Sequence, residues 1–108
     1  MRRSEKIVTG AGVSAPLPTN LNTSPFNIGL AAIVSSGATV SYTVQHTFDD
    51  VYAASFDAST ATWFDHEDIA GATANQDGNY AFPVTAIRLN VASSDGSVTL
   101  VVLQAGIQ

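Results

Sequence analysis

The stretch 38–48 shows the clearest pattern in the chain, a strict alternation of apolar and polar residues. A period of two, combined with β-branched and aromatic side chains, predicts a long strand with one buried face and one polar face. A helix would instead spread the same apolar residues around its circumference. The predicted buried face is formed by Val40, Tyr42, Val44, His46 and Phe48.

An apolar segment, Phe26–Val34, precedes this strand and is joined to it by Ser35–Gly37. The apolar run predicts a strand that is covered on both faces or that lies at a subunit contact. Because a short link containing glycine joins two β-rich segments, we predict that they form a hairpin.

A second hairpin is predicted near the end of the chain. Residues 81–91 form a strand in which Arg88 and Asn90 alternate with apolar residues. The turn signal Ser93–Gly96 follows, and residues 97–105 return as the last strand. Upstream, Asn75–Asn79 has the composition of another turn.

Two long connections separate these strands. Three prolines favour extended backbone in residues 14–25, where we expect Leu17 and Leu21 to anchor the segment to the core. The second connection, residues 49–71, is too irregular for a long strand. Within it we predict one helical turn at residues 58–61 with Asp57 as its cap.

These elements predict an all-β fold. Residues 6–13 add a short first strand, for a total of about six to eight antiparallel strands with long loops. We expect a jelly-roll-like β-sandwich or a small barrel. A length of 108 residues fits a single domain, 1–108. Three of the four basic residues lie in the first six positions, which we predict to form a short basic N-terminal arm.

Composition and charge argue against several functions. The formal net charge is −5 with seven acidic residues between positions 49 and 77, and an acidic body repels phosphate, so we expect no nucleic-acid partner. Cysteine is absent, which excludes disulfides and thiolate metal sites. No run approaches the ~20 apolar residues of a membrane span, and no signal-peptide core follows the basic start. The charged fraction of 12% predicts a surface that is inexpensive to desolvate and that partners can cover.

The best candidate for chemistry is the acidic segment Asp65–Asp68. It surrounds His66 with carboxylates, which are the ligand types for a divalent metal. Consecutive residues of an extended chain point to alternate sides, however, so we interpret the segment as a solvated loop and leave ion binding open. No acid, base and nucleophile can be combined, so we predict no enzymatic activity, no catalytic residue, no cofactor and no metal.

Three other polar groups are predicted to have structural roles. His46 lies on the apolar face of the long strand and is expected to be a hydrogen-bonded core residue. Asp49 and Asp50 follow that strand and are expected to bond the backbone of their own turn. Arg88 is the one basic residue outside the first six, and we favour an internal pair with Asp49, Asp50 or another carboxylate over a contact with a partner subunit.

The order of motifs along the chain resembles small structural proteins of tailed bacteriophages, in particular the head decoration, or cement, proteins of short-tailed phages. The resemblance spans nearly the whole chain and is less specific for the head than for a virion component. The motifs are Val8–Gly12, Ser24–Gly29, Val40–Asp50, Ala61–Phe64, Ala81–Val91 and Gln104–Gly106.

The resemblance implies a non-enzymatic protein that binds the outside of the capsid in many copies. Such a protein would be assembled in the host cytoplasm, associate as a homo-oligomer (dimer or trimer) and stabilise contacts between major capsid protein subunits. The alternatives are another virion component (tail, collar or fibre-attachment module) and a carbohydrate- or metal-binding β-domain. We expect partner contacts at Arg2, Arg3, Lys6, Leu17, Leu21, Trp63, Phe64 and His66.

Overall fold

A computed structural model describes residues 2–21 and 26–104 of the chain. The described part contains nine strands and no helix that is long and apolar enough to span a membrane. The strands are β1 (Arg2–Thr9), β2 (Gly12–Val13), β3 (Leu17–Pro18), β4 (Ile28–Val34), β5 (Val40–Thr47), β6 (Trp63–Asp65), β7 (Gln76–Tyr80), β8 (Ala86–Ser94) and β9 (Ser97–Gln104).

The strands form two antiparallel sheets that pack as a β-sandwich. The four-stranded sheet has the order β1-β9-β4-β7, and the five-stranded sheet has the order β2-β8-β5-β6 with β3 also paired to β8. β2 and β3 both pair with β8 and can be counted as one interrupted strand. The antiparallel pairs are then nested: β1 with β9, β2/β3 with β8, β4 with β7, and β5 with β6. This is the strand pairing of a jelly roll.

The predicted all-β jelly-roll-like sandwich is therefore confirmed, with nine strands in place of the expected six to eight. The additional strand arises because regular pairing with β8 is interrupted at residues 14–16, between β2 and β3, where the Ser14 N–H still donates to the carbonyl oxygen of Leu89 at 2.8 Å. Pro16 lies in this interruption and has no N–H to donate to β8.

Both predicted hairpins are wrong. β4 and β5 lie in different sheets, and so do β8 and β9. The two short connections instead cross between the sheets side by side. The backbone N–H of Thr39 donates to Asp95 Oδ1 at 2.7 Å, and the N–H of Ser97 donates to Ser35 Oγ at 3.0 Å. Turn-forming residues reverse the chain, but they do not specify whether the two flanking strands share a sheet.

Three local predictions also need correction. The turn signal at residues 75–79 lies almost entirely in β7, where Gly78 pairs with Leu30. A short basic N-terminal arm was predicted for residues 1–6, but residues 2–6 form the first part of β1 and pair with β9. Leu17 packs against the core as expected, whereas Leu21 is 49% exposed and does not anchor its segment.

The turn at residues 58–61 is present as a single hydrogen-bonded turn. The N–H of Ala61 donates to the carbonyl oxygen of Asp57 at 2.9 Å. The Asp57 carboxylate accepts from the N–H and the hydroxyl of Ser59, and these hydrogen bonds lower the pKa of Asp57. Asp57 therefore caps the turn as predicted, although no helix follows.

One hydrophobic core joins the two sheets. The alternation predicted for β5 is confirmed for Val40, Tyr42, Val44 and His46, which are buried, and for Ser41, Thr43 and Gln45, which are only partly buried on the other side. Two residues depart from it: Phe48, predicted on the buried face, is 53% exposed beyond the end of the strand, and Thr47 is fully buried. β8 shows the same alternation around Arg88 and Asn90. The fully buried residues of these two strands include Tyr42, Val44, Ile87 and Leu89.

Candidate interaction site

A pocket opens at the edge of the sandwich where β6 and β7, the last strands of their sheets, face each other. Its volume is about 310 Å³, and most of its lining is aromatic. We call it the aromatic pocket. It is lined by His46, Phe48, Phe64, Asp65, His66, Glu67, Asn79, Tyr80 and Phe82.

The strand geometry explains why aromatic side chains meet here. His46 is opposite Phe64 in the β5–β6 register, so both point to the inner side of the sheet, and Phe48 continues the same alternation. The rings of Phe48, Phe64 and Phe82 lie 5.5–5.9 Å from the ring of His46. Each of the three phenylalanines is about half exposed, at 48–53%. The sandwich therefore ends in an open aromatic cluster and not in a closed core.

The floor of the pocket contains a buried hydrogen bond between His46 Nδ1 and the Tyr80 hydroxyl, at 2.7 Å. Burial lowers the pKa of His46, the nearby His66 lowers it further, and the charge of Asp65 opposes both effects. Burial raises the pKa of Tyr80, with a smaller contribution from Asp65. Both groups are therefore neutral near pH 7, and His46 is the hydrogen-bonded core residue that the sequence predicted.

His66 is held by backbone groups on both sides of its ring. Its Nε2–H donates to the carbonyl oxygen of Asn79 at 3.0 Å, and its Nδ1 accepts from the N–H of Asp68 at 3.1 Å. These partners fix the orientation of the ring and place it between β6 and β7. With 4% exposure, His66 is buried, and it is reached from outside only where it lines the aromatic pocket; its predicted contact with a partner stays a prediction.

The acidic segment does not assemble a metal site. Both ring nitrogens of His66 already have hydrogen-bond partners, and the Asp65 carboxylate accepts from Gln45 Nε2 at 2.9 Å. Within residues 2–21 and 26–104, no group of three or more metal-ligating side chains is positioned to hold an ion.

Arg88 forms an internal contact, but not the predicted pair with a carboxylate. Its Nε–H donates to Gln45 Oε1 at 2.8 Å, and its guanidinium carbon lies 4.1 Å from the centre of the Trp63 ring. The Trp63 indole N–H donates to the carbonyl oxygen of Ala58 at 3.0 Å. Asp50 accepts from the N–H of Tyr52 in its own turn, as predicted, whereas Asp49 accepts from the N–H of Thr62, thirteen residues further along the chain.

Replacing Arg88 with leucine should lower the free energy of unfolding by about 1–2 kcal/mol, because it removes a hydrogen bond and a cation–π contact. The matched control is Arg3→Leu, since Arg3 is paired only with Glu5 at the surface and should contribute less than about 0.5 kcal/mol. Urea unfolding of the two variants measures the difference. Equal midpoints would show that the Arg88 contacts contribute nothing to stability.

The lowered pKa of His46 should make stability depend on pH. In the unfolded chain a histidine titrates near 6.5, so below that pH the unfolded state binds more protons than the folded state. Stability should therefore be complete above pH 6.5 and decrease as the pH falls toward the lower folded pKa. Urea unfolding from about pH 7.5 to 5 should show this loss in the natural protein and a shallower dependence in His46→Gln. Parallel curves would contradict the assignment.

A second candidate surface is the outer face of the four-stranded sheet. β4 is apolar on both sides, the outer side of β9 ends in Val101 and Leu103 after Ser97 and Thr99, and no described residue covers this outer face. A shallow depression of about 370 Å³ lies over Gly29 and Ala31. We call this surface the apolar face; its residues are Ile7, Gly29, Ala31, Ile33, Val101 and Leu103.

The other sheet differs on its outer face. There the outward side chains of β5 are polar, and the chain's own loop covers one end of that strand, since Thr47 Oγ1 donates to the carbonyl oxygen of Thr62 at 2.8 Å. Thr47 is fully buried by this loop. The apolar face is therefore a surface that the described chain leaves uncovered.

The predicted contact residues are dispersed over the molecule. Arg2 and Arg3 lie in the edge strand β1. Lys6 is half-buried and lies on the same side of that strand as the core residue Val8. Trp63 stacks with Arg88, and Phe64 is the one member of the set in the aromatic pocket with substantial exposure.

Sequence reasoning missed Phe48, Tyr80 and Phe82 as site residues. Phe48 continues the alternation of β5 beyond the end of that strand, which was a usable signal. Tyr80 and Phe82 are two residues apart, so they share one side of an extended chain. Because residues 75–79 were interpreted as a turn, Tyr80 was not recognised as the end of a strand with Phe82 on the same side.

Comparison with known proteins adds no relative. No family model matches the chain, and neither curated protein sequences nor solved structures contain a match to it.

Proposed function

We propose that this protein is a non-enzymatic bacteriophage decoration protein that binds the outside of the head shell and stabilises contacts between major capsid protein subunits. It acts as a rigid, folded binding domain and not as a catalyst. Many copies bind the shell of the virion, where they associate as homo-oligomers. The motif order of the sequence supports this proposal, and the apolar face supports it physically.

The apolar face is the observation that carries the proposal. Its middle rows pair Val101 with Ala31 and Leu103 with Gly29, so small and aliphatic side chains occupy the centre of the sheet. The described charged side chains of this sheet lie on its two edge strands, for example Glu5 on β1 and Asp77 on β7. Covering such a centre releases water at little electrostatic cost.

Weak contacts are sufficient for this role. A shell presents the same binding surface many times, and association between copies adds avidity to each modest contact. The jelly roll supplies a rigid body, so little conformational entropy is lost on docking.

The proposal is tested on phage heads with and without the protein. Heads that lack it should open at lower temperature, and added protein should restore the resistance. Ile33→Asp places a charge in the apolar face and should weaken head binding by about tenfold or more, whereas Ser93→Asp, on the other sheet, should bind normally. Ile33 and Ser93 are both exposed, so neither variant should unfold.

Copy number per particle separates the head from the tail. Hundreds of copies support a shell protein, whereas about a dozen or fewer would place the protein in the tail or collar. Heads that keep their full resistance without the protein would overturn the stabilising role.

A further inference from the structure

The aromatic pocket has the composition of a site for an organic cation. The faces of phenyl rings carry partial negative charge and attract cations, most often the guanidinium group of arginine. Phe48 lies 5.8 Å from Phe64 and 6.3 Å from Phe82 between ring centres, so the three rings form one cluster around His46. All three are about half exposed, which leaves ring surface available to a ligand.

The electrostatics of the pocket favour a positive ligand over a negative one. Asp65 and Glu67 both line the pocket, and the chain carries a net charge of −5. The charge of Asp65 reaches the floor, since it raises the pKa of both His46 and Tyr80. Burial lowers the pKa of His46, so this ring at the floor does not oppose a cation near pH 7.

A contact between a guanidinium group and an aromatic ring already occurs elsewhere in the protein. On the outer side of β8, the guanidinium of Arg88 stacks on Trp63 and donates to the side chain of Gln45. A volume of about 310 Å³ is enough for a guanidinium group and part of its alkyl stem.

We infer that the aromatic pocket binds the side chain of an arginine from a partner protein, with the guanidinium group against the rings of Phe48, Phe64 and Phe82, beside Glu67 and within reach of the negative charge of Asp65, whose carboxylate is bonded to Gln45. This inference adds a specific contact to the proposed function. It depends on the proposed function only for the identity of the protein that supplies the arginine. Binding of the cation itself belongs to the isolated protein, where it is tested without phage heads.

The test is an NMR titration of the isolated protein with N-acetyl-arginine methylamide. Saturable shifts should appear in the aromatic resonances of the three phenylalanines, with a dissociation constant in the millimolar range, as expected for one exposed cation–π site. N-acetyl-citrulline methylamide has nearly the same shape without the charge and should bind about tenfold more weakly. Added salt should weaken arginine binding.

Two pocket variants and one control locate the site. Phe82→Leu keeps an apolar side chain but removes a ring face, and Glu67→Gln removes one charge, so each should weaken arginine binding by about threefold or more. Tyr52→Leu removes a ring that is 73% exposed outside the pocket and should leave binding unchanged. Preserved dispersion of the amide resonances shows that each variant is folded.

The outcomes are distinct. Equal binding of arginine and citrulline, no saturable shift, or shifts outside the pocket would each overturn the inference. Binding of methyl glucoside in preference to arginine would also overturn it and would indicate a carbohydrate site. If arginine binds but the protein has no effect on phage heads, the pocket assignment stands and the proposed function fails.

Discussion

Gly96→Ala should lower the free energy of unfolding by about 2–3 kcal/mol, because the added methyl group has no space. A Cβ at this position would meet Ser35 Oγ and would lie 2.7 Å from Ala38 Cβ. Both neighbours belong to the connection between β4 and β5, which packs against the β8–β9 connection. Ser35 is fixed there, since its Oγ accepts from the N–H of Ser97 at 3.0 Å. The clash therefore forces apart the two crossings that join the sheets.

Gly29→Ala is the matched control for this prediction. A Cβ at Gly29 would approach only the carbonyl oxygen of Leu103, at 3.9 Å, which is an ordinary contact. Its effect should stay within about 0.5 kcal/mol. Chemical unfolding of both variants gives the comparison, and equal stability of Gly96→Ala and the natural protein would contradict the packing of the two crossings.

Tyr42→Ala should have the largest effect, a loss of about 3–5 kcal/mol, because it removes a fully buried aromatic side chain from the middle of β5. The hydroxyl group of Tyr42 donates to the carbonyl oxygen of Ala74, and its backbone pairs with Ala72. The side chain thus fills the core and also ties residues 72–74 to the five-stranded sheet. The cavity and the lost hydrogen bond act together.

Two further variants divide the effect of Tyr42. Tyr42→Phe keeps the ring and removes only the hydroxyl donor, so it should cost about 1–2 kcal/mol. Tyr52→Ala removes an exposed tyrosine and should change stability by less than about 0.5 kcal/mol. Unfolding followed by the fluorescence of Trp63, the single tryptophan, measures all three. A small effect of Tyr42→Ala would show that the core collapses around the site.

Under the proposed function, the aromatic pocket and the apolar face would contribute differently to binding of the partner. The apolar face offers area and few charges, which favours affinity without strong directionality. The aromatic pocket offers one charged and oriented contact, which favours correct docking of the partner. They involve different strands, so substitutions in one should leave the other intact.

Some of the fold follows directly from local sequence patterns. Alternation identified β5 and β8 and the burial of His46, because a strand places every second side chain on the same side whatever its neighbours are. The apolar run of β4 correctly indicated a strand, but its outer face is not covered within the described chain, since Ile33 is 47% exposed, and a subunit contact there stays a prediction. The cap at Asp57 depends only on atoms within four residues of it, so it too was predictable.

Strand partners were not predictable in the same way. Two short turns were interpreted as hairpins, yet each joins strands of different sheets, since pairing is decided by residues far apart in sequence such as Val34 with Val98. Arg88 was predicted to find a carboxylate and finds Gln45 and Trp63. Gln45 is opposite Arg88 because of the β5–β8 register, and Trp63 lies on β6, which pairs with the other edge of β5.

The sequence by itself determined that this chain is β-structured, acidic, free of cysteine and alternately apolar along its main strands. These properties are local or compositional and do not depend on how the chain is folded. Only the tertiary structure decided that β6 and β7 meet at an open edge, where His46, Phe64 and Tyr80 form one pocket. A site built from three strands depends on sheet order, because long-range pairing alone brings such residues together.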